Sequence, residues 1–243
     1  MNILETKNLK KYFAGVAAID GLSISIEKGK ITSVIGPNGS GKTTLINVLS
    51  GMMPLSGGAV LVDGAVLQKI AAFDVSWYGV TRTFQEVRLF NQMSVLDNLL
   101  VVLTERNVAG AFFERHSAYH LKRAEELLLK INLWEKRHEQ AGNLSYGQRK
   151  LLEIARALAI GSEIYLLDEP FAGLFPEMVK IIVGILEELR AEGKTVVLIE
   201  HNMDLIRALS DRVIVMDGGT LLAEGKPDEV LGKAEVIEAY LGE

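Results

Sequence analysis

A chain of 243 residues with 49% hydrophobic content and a mean hydropathy of +0.21 has material for one large, densely cored α/β unit. No apolar run approaches the roughly 18–20 residues of a membrane helix, so the surplus hydrophobicity reads as core plus interface surface. The lack of cysteine excludes a disulfide framework and a thiolate metal site, four dispersed histidines argue against structural zinc, and a net charge of −5 without a long basic run argues against nucleic acid as the main ligand.

At the N-terminus, Met1-Asn2-Ile3-Leu4-Glu5 runs directly into polar, strand-like sequence with nothing resembling a leader, so a cytoplasmic chain is expected. Residues 3–29 contain the alternation Leu22-Ser23-Ile24-Ser25-Ile26, expected as one antiparallel strand with a wet face, ending at a Glu27-Lys28-Gly29-Lys30 turn. Residues 31–35 are near-continuously apolar, as are 164–167 and 196–199, which is the pattern of strands buried on both faces of a parallel sheet. After Gly57-Gly58, residues 59–64 read as a short strand closed by a turn, part of a small antiparallel sheet beside the core. From about 87 to 159 the pattern is helical, with apolar positions near 3.6 spacing over 118–131. Beyond Arg212, a strand pair surrounds Asp217-Gly218-Gly219, and a single helix is expected over 227–241. The expected organisation is one domain, 1–243, with core and antiparallel sheet from 1–86 and 160–243 and a helical insertion over 87–159.

Three segments carry chemistry. Gly36-Pro37-Asn38-Gly39-Ser40-Gly41-Lys42-Thr43 matches GxxxxGK[ST], follows a predicted strand and leads into the helical Thr44-Leu45-Ile46. Its glycines let backbone N–H groups turn inward around a phosphate, and the helix N-terminus favours anionic oxygens. Lys42 is then placed to reach β- and γ-phosphates and the Thr43 hydroxyl to ligate Mg²⁺. Second, Asp168-Glu169 ends an apolar strand, at the sheet edge where open α/β folds bind ligands; Asp168 is expected to hold Mg²⁺ through its water shell and Glu169 to orient or deprotonate a water. Third, Ser145 of Leu144-Ser145-Tyr146-Gly147-Gln148 sits where a helix N-cap belongs, before the helical 151–159.

A phosphate cradle alone leaves kinases, GTPases and many ATPases open. The third segment resembles the signature of the ABC ATPase family, usually LSGGQ and here LSYGQ, with Tyr146 in place of the first glycine. The resemblance covers nearly the whole chain and implies a P-loop NTPase (RecA-like) parallel-sheet core with an N-terminal antiparallel β-subdomain and a helical ABC subdomain. It implies ATP and Mg²⁺ as ligands. Nucleotide contacts are implied for Phe13 (Tyr12 a close alternative), Asn38, Gly39, Ser40, Gly41, Lys42, Thr43, Thr44, Ser145, Gly147 and Gln148. Glu169, His201 and Gln85 are implied as catalytic, and Thr43, Gln85 and Asp168 as the metal set. Gln85 resembles the glutamine that senses the metal and links the site to the membrane subunit; His201, after Ile199-Glu200, resembles the switch histidine.

The family likeness further implies a head-to-tail ATP-sandwich dimer, homotypic or with a related ATPase, docked on permease subunits at the cytoplasmic face of the membrane and served by a substrate-binding protein. Where many relatives carry a D-loop aspartate, this chain reads Gly173-Leu174-Phe175-Pro176, which puts the usual cross-dimer contact in doubt. Residues 82–100 (RTFQEVRLFNQMSVLDNLL), residues 199–204 (IEHNMD) and the tail Glu238-Ala239-Tyr240-Leu241-Gly242-Glu243 resemble the ATPase of branched-chain amino-acid importers. Phe171-Ala172-Gly173 and Tyr240-Leu241-Gly242 also resemble the ATPase of lipopolysaccharide export, which stays open as the alternative. A chromosome-maintenance or repair ATPase needs a long coiled coil between cradle and signature, and no sustained heptads intervene.

Overall fold

The computed structural model describes residues 1–67, 75–103 and 118–241; residues 104–117 of the expected helical insertion and Gly242-Glu243 of the tail lie outside the described residues. Two compact units are present, Met1–Arg82 with Glu163–Pro170 and Ile185–Glu243, and Thr83–Ser162 with Phe171–Gly184.

In the first unit, β1 (Asn2–Phe13) pairs antiparallel with β2 (Val16–Leu22), β3 (Ser25–Glu27) and β5 (Gly57–Val62), and β5 pairs with β6 (Ala65–Leu67). The expected single strand over residues 22–26 is instead the end of β2 followed by β3. Thr6 is the reason: its hydroxyl donates to the Leu22 carbonyl at 2.9 Å and accepts from the Ile24 amide at 3.1 Å, replacing ladder bonds at the break.

The second sheet has the order β11-β10-β4-β9-β8-β7, built from β4 (Ile31–Ile35), β7 (Val80–Arg82), β8 (Ile164–Asp168), β9 (Thr195–Ile199), β10 (Arg212–Asp217) and β11 (Thr220–Gly225). All neighbours are parallel except the β10–β11 hairpin, whose two-residue turn Gly218-Gly219 has φ 50° and 80°, conformations open to glycine. Every residue of β4, β8 and β9 is buried, as their apolar runs require. Alternation assigns their side chains to two clusters. Val34 and Ile214 join Leu4, Ile26 and Val60 of the antiparallel sheet and Leu45 and Leu49 of α1 (Lys42–Leu49), so one core binds both sheets. Ile35, Val213 and Val215 face Ile206, Val230 and Val236. Each fully buried aliphatic side chain here contributes about 1.5–3 kcal/mol.

The second unit is helical. Helices α2 (Val95–Leu103) and α3 (Ala118–Lys130) pack on α4 (Tyr146–Ile160). In α3 the buried Ala124, Leu127 and Leu128 realise the expected helical spacing. The segment Phe171–Gly184, at sequence level grouped with the core, belongs to this unit: Tyr146 packs against Gly173, and a Cβ on Gly147 would stand 2.3 Å from the Met178 sulfur. Residues 83–86 and 160–162, also grouped there with the core, belong to this unit too. Helix α5 (Pro176–Ala191), which belongs to this unit up to Gly184 and to the first unit from Ile185, opens with its proline at the position where a missing N–H costs nothing.

In the first unit, α6 (Met203–Leu209) follows β9. The single C-terminal helix expected over 227–241 is two, α7 (Pro227–Leu231) and α8 (Ala234–Leu241), because the chain leaves the helix at Gly232 and restarts at Lys233, whose carbonyl accepts from Ile237.

Candidate functional site

Parallel register brings the functional strand ends to one edge. Val34 and Asp168 both stand opposite Ile199, so the segments after β4, β8 and β9 leave the sheet at one level. That is where Gly36, Glu169 and His201 sit, beyond the carboxyl ends of the strands.

The loop from Gly36 to Gly41 is shaped by close backbone approach. Gly41 has φ 99° and a Cβ there would meet the Ala18 carbonyl of β2 at 2.5 Å, so only glycine lets β2 pass beside it. Gly41 is also the N-cap of α1 and supplies no side-chain cap to the first turn. The Ser40 carbonyl accepts from the Gly219 amide at 3.2 Å, which ties the loop to the β10–β11 turn. Lys42 is buried, and its ammonium donates to the Gly36 and Pro37 carbonyls at 2.7 and 2.8 Å. Asn38, Gly39 and Thr43 are exposed, Thr44 half-buried, and Ser40 buried.

Asp168 ends β8 buried, in an ion pair with Arg82 at 3.2 Å. The next residue, Glu169, takes φ 48°, a left-handed conformation costing about 1 kcal/mol or more for a side chain of this kind. Its amide is held by the Ile199 carbonyl at 3.0 Å, and its Oε1 lies 3.1 Å from His201 Nε2. Asn202 caps α6 by accepting from the Asp204 and Leu205 amides, which fixes where His201 leaves the strand. Glu200, between them, is buried, and burial pushes its carboxyl up.

Phe13 stands on the hairpin tip of β1 and β2, opposite Val16, with its ring exposed and the Lys11 ammonium 4.9 Å from the ring centroid. The same β2 supplies the Ala18 carbonyl against Gly41, so this hairpin rises beside the cradle. Tyr12, the alternative, directs its hydroxyl to Asp20 at 3.2 Å.

In the second unit, Ser145 and Gln148 form a reciprocal capping box: the Ser145 hydroxyl accepts from the Gln148 amide at 3.3 Å and Gln148 Oε1 accepts from the Ser145 amide at 3.1 Å. Gly147 lies between them against Met178 and Leu174. Gln85, exposed, belongs to a segment read by one face of α4. Lys150, fully buried, donates to the Phe84 and Gln85 carbonyls at 3.0 and 3.2 Å, Glu153 accepts from the Arg88 amide at 3.2 Å, and Arg156 donates to the Arg88 carbonyl at 2.6 Å. The spacing of Lys150, Glu153 and Arg156 puts all three on one helical face. The backbone at Gln85 is therefore fastened to α4.

As oxygen donors, the Thr43 hydroxyl and the Asp168 carboxylate suit a hard divalent cation such as Mg²⁺, which takes one or two protein oxygens and completes its shell with water and phosphate.

The ABC transporter family profile matches residues 19–172, spanning both the cradle and the signature. The chain belongs to the ABC transporter family. A profile described as branched-chain amino acid ATP-binding cassette transporter matches residues 220–243 of this ABC protein. The high-affinity branched-chain amino acid transport ATP-binding protein BraF of Pseudomonas aeruginosa is 40% identical over 250 residues, covering 99% of this chain and 98% of that protein. A crystal structure of the ADP conformation of an ATP-binding cassette of an ABC transporter superposes with a TM-score of 0.87 at 37% identity, covering 100% of both chains. A dimeric cassette in a post-hydrolysis state bound to ADP and Pi superposes with a TM-score of 0.81 at 27% identity, covering 92% of this chain and 98% of that one. This ABC chain is thus a nucleotide-binding cassette with ATPase architecture. None of its described helices is long and apolar enough to cross a membrane.

Sequence reasoning missed Arg82, Lys150 and Glu153. Arg82 also donates to Asn47 and to Ser50 at 3.0 Å, joining α1 to the end of β8. No local motif marks these residues, because their partners lie 32 or more positions away. The signal available was a Lys and a Glu on the apolar-patterned face of α4.

Burial raises the Glu153 carboxyl above the ordinary 4.5, opposed by the backbone amide of Arg88, the Lys150 charge, the amide of Phe84 and the Arg156 charge. The folded chain therefore holds this proton more tightly than the unfolded chain. The contribution to stability is complete below the ordinary value and is lost as pH rises through the raised one. Glu153→Gln keeps an oxygen acceptor for the two amides without the ionisation. The Tm of the variant minus that of the parent is expected to shift by a few degrees in the variant's favour between about pH 4.5 and pH 8. A flat difference would contradict the raised value.

Proposed function

We propose that this chain is the ATP-hydrolysing subunit of a transporter that takes up branched-chain or related amino acids. The observation that carries the reading is the shared strand edge on which the Lys42 loop, Asp168, Glu169 and His201 converge, in a chain alike over its full length to a branched-chain amino acid transport ATP-binding protein.

The loop amides from Asn38 to Thr44 bind the β-phosphate, and Lys42 reaches β- and γ-oxygens. Phe13 stacks on adenine from the hairpin tip. Mg²⁺ would be held by Thr43 and Asp168, with Gln85 as the further oxygen that the family likeness implies, and would supply neutralisation of the charge that develops on the γ-phosphate. Glu169 accepts the proton of the attacking water, and His201, in contact with Glu169, orients it and the γ-phosphate. The strained backbone of Glu169 is consistent with a carboxylate aimed for function.

We read the working form as a pair of cassettes, as in the dimeric relative, with Ser145, Gly147 and Gln148 of one chain capping the phosphates held by the other. The α4 helix N-terminus favours that anion. Tyr146 and the exposed Phe175 stand at this face in place of a glycine and an aspartate. Permease subunits dock on residues 85–90, where Phe90 has its backbone fastened by Asn98 while its ring stays exposed. The chain is then peripheral, on the cytoplasmic face of the membrane, and a substrate-binding protein delivers the solute.

Lys42→Ala tests both levels. It is expected to weaken ATP binding at least about tenfold, since a charge-assisted contact to phosphate is lost, and to abolish leucine uptake by cells carrying it in place of the parent. Unchanged nucleotide affinity would reject the cradle; normal leucine uptake would reject the amino-acid assignment while leaving the ATPase.

A further inference from the structure

The first peptide of the cradle is anchored from the other end of the chain. Gly36 is buried and lies just beyond β4, past the parallel pairs Val34 with Ile199 and Ile35 with Val215, so the sheet ladders supply it no further residue pair. A buried N–H without a partner is destabilising by more than an ordinary hydrogen bond is worth. The partner is Tyr240 of α8: the Gly36 amide donates to its hydroxyl oxygen at 2.7 Å, across 204 positions of sequence. The Gly36 carbonyl in turn accepts from the Lys42 ammonium at 2.7 Å. Tyr240 is thus one peptide unit from the lysine that reaches the phosphates.

The geometry around this peptide leaves it little room. Gly36 has φ 147°, and a Cβ on it would stand 2.0 Å from the Met216 carbonyl, so the backbone is fitted closely against β10. The ring of Tyr240 packs on the cluster formed by Ile35, Val215, Ile206 and Val230, which fixes where its hydroxyl points. The ring serves packing and the hydroxyl serves the loop, so a single-atom change separates the two.

We propose that Tyr240 is a positioning residue of the nucleotide cradle, its hydroxyl holding the Gly36 peptide and through it the Lys42 ammonium in the ATP-binding arrangement. Helix α8 is then a built-in part of the ATP site. This rests on the cradle reading above and adds to it a residue from the chain's end.

Tyr240→Phe in the full chain is the test, because phenylalanine keeps the ring that packs on the cluster and removes the hydroxyl. Binding of a fluorescent ATP analogue is expected to weaken about fivefold, the change that one hydrogen bond produces. KM for ATP rises by a larger factor than kcat falls. Amide exchange of the peptide spanning residues 31–41 quickens, while Tm moves by no more than about 2 °C. Parent-like affinity and exchange in Tyr240→Phe would overturn the proposal, and so would an affinity loss that simply tracks a collapse in Tm, which would make the role one of packing. Lys42→Ala run alongside separates the two readings: if it binds as tightly as the parent, the cradle assignment falls and this inference with it, whereas a Lys42→Ala defect beside a parent-like Tyr240→Phe removes Tyr240 alone.

Discussion

Glu169→Gln is expected to cut ATP turnover by about 10²–10⁴-fold, the range a positioned general base supplies, while Mg·ATP binding stays within about twofold of the parent. Glutamine keeps the size of the side chain and an oxygen that can face His201, 3.1 Å from the native carboxylate, but it cannot take a proton from water. The phosphate contacts proposed for the loop and Lys42 are untouched. If hydrolysis reopens the proposed pair, the variant should accumulate as a closed dimer with ATP. Steady-state phosphate release, equilibrium nucleotide binding and light scattering after size exclusion check the three parts. Turnover within about tenfold of the parent would remove Glu169 from the catalytic role. A variant that binds ATP but stays monomeric would point to a different cassette as the obligatory partner.

Arg82→Met is the largest expected effect on stability. The guanidinium and Asp168 have side-chain exposures of 7% and 1%, so neither charge is screened by water. Removing one member of a buried pair leaves the other uncompensated and destabilises by about 3–5 kcal/mol. Loss of the Asn47 and Ser50 contacts adds to this by loosening α1 from β8. For a chain of this size the Tm should fall by about 10 °C. The double variant Arg82→Met with Asp168→Asn should recover part of the loss, because the stranded carboxylate is gone. A Tm within about 2 °C of the parent in the single variant would show that the pair is not structural.

Much of the site was legible in sequence because each piece is local. The phosphate loop needs glycines at fixed offsets and a lysine at the helix start, and the strand before it needs an apolar run; all fall within residues 31–49. The same holds for Asp168-Glu169 after β8, and for Ser145 and Gln148, whose capping box closes over three residues. The fully buried parallel strands were readable because burial on both faces removes polar positions. Two element boundaries were misread. The strand break after Leu22 depends on Thr6, sixteen positions away, and the split of the last helix depends on a single Gly232 that the apolar pattern on either side conceals.

By itself the sequence determined the class of the protein, its two sheets, the cradle and the signature helix, since these follow from spacing, periodicity and residue chemistry over short stretches. Tertiary structure alone decided the rest. Parallel register set Gly36, Glu169 and His201 at one edge; the path of β2 made Gly41 a glycine with no alternative; and chain folding delivered Arg82 to Asp168, Lys150 and Glu153 to the backbone near Gln85, and Tyr240 to Gly36. The reason is the same for each. A buried polar group must find a partner wherever the fold leaves one, and the partner's distance along the chain carries no signature in the local pattern.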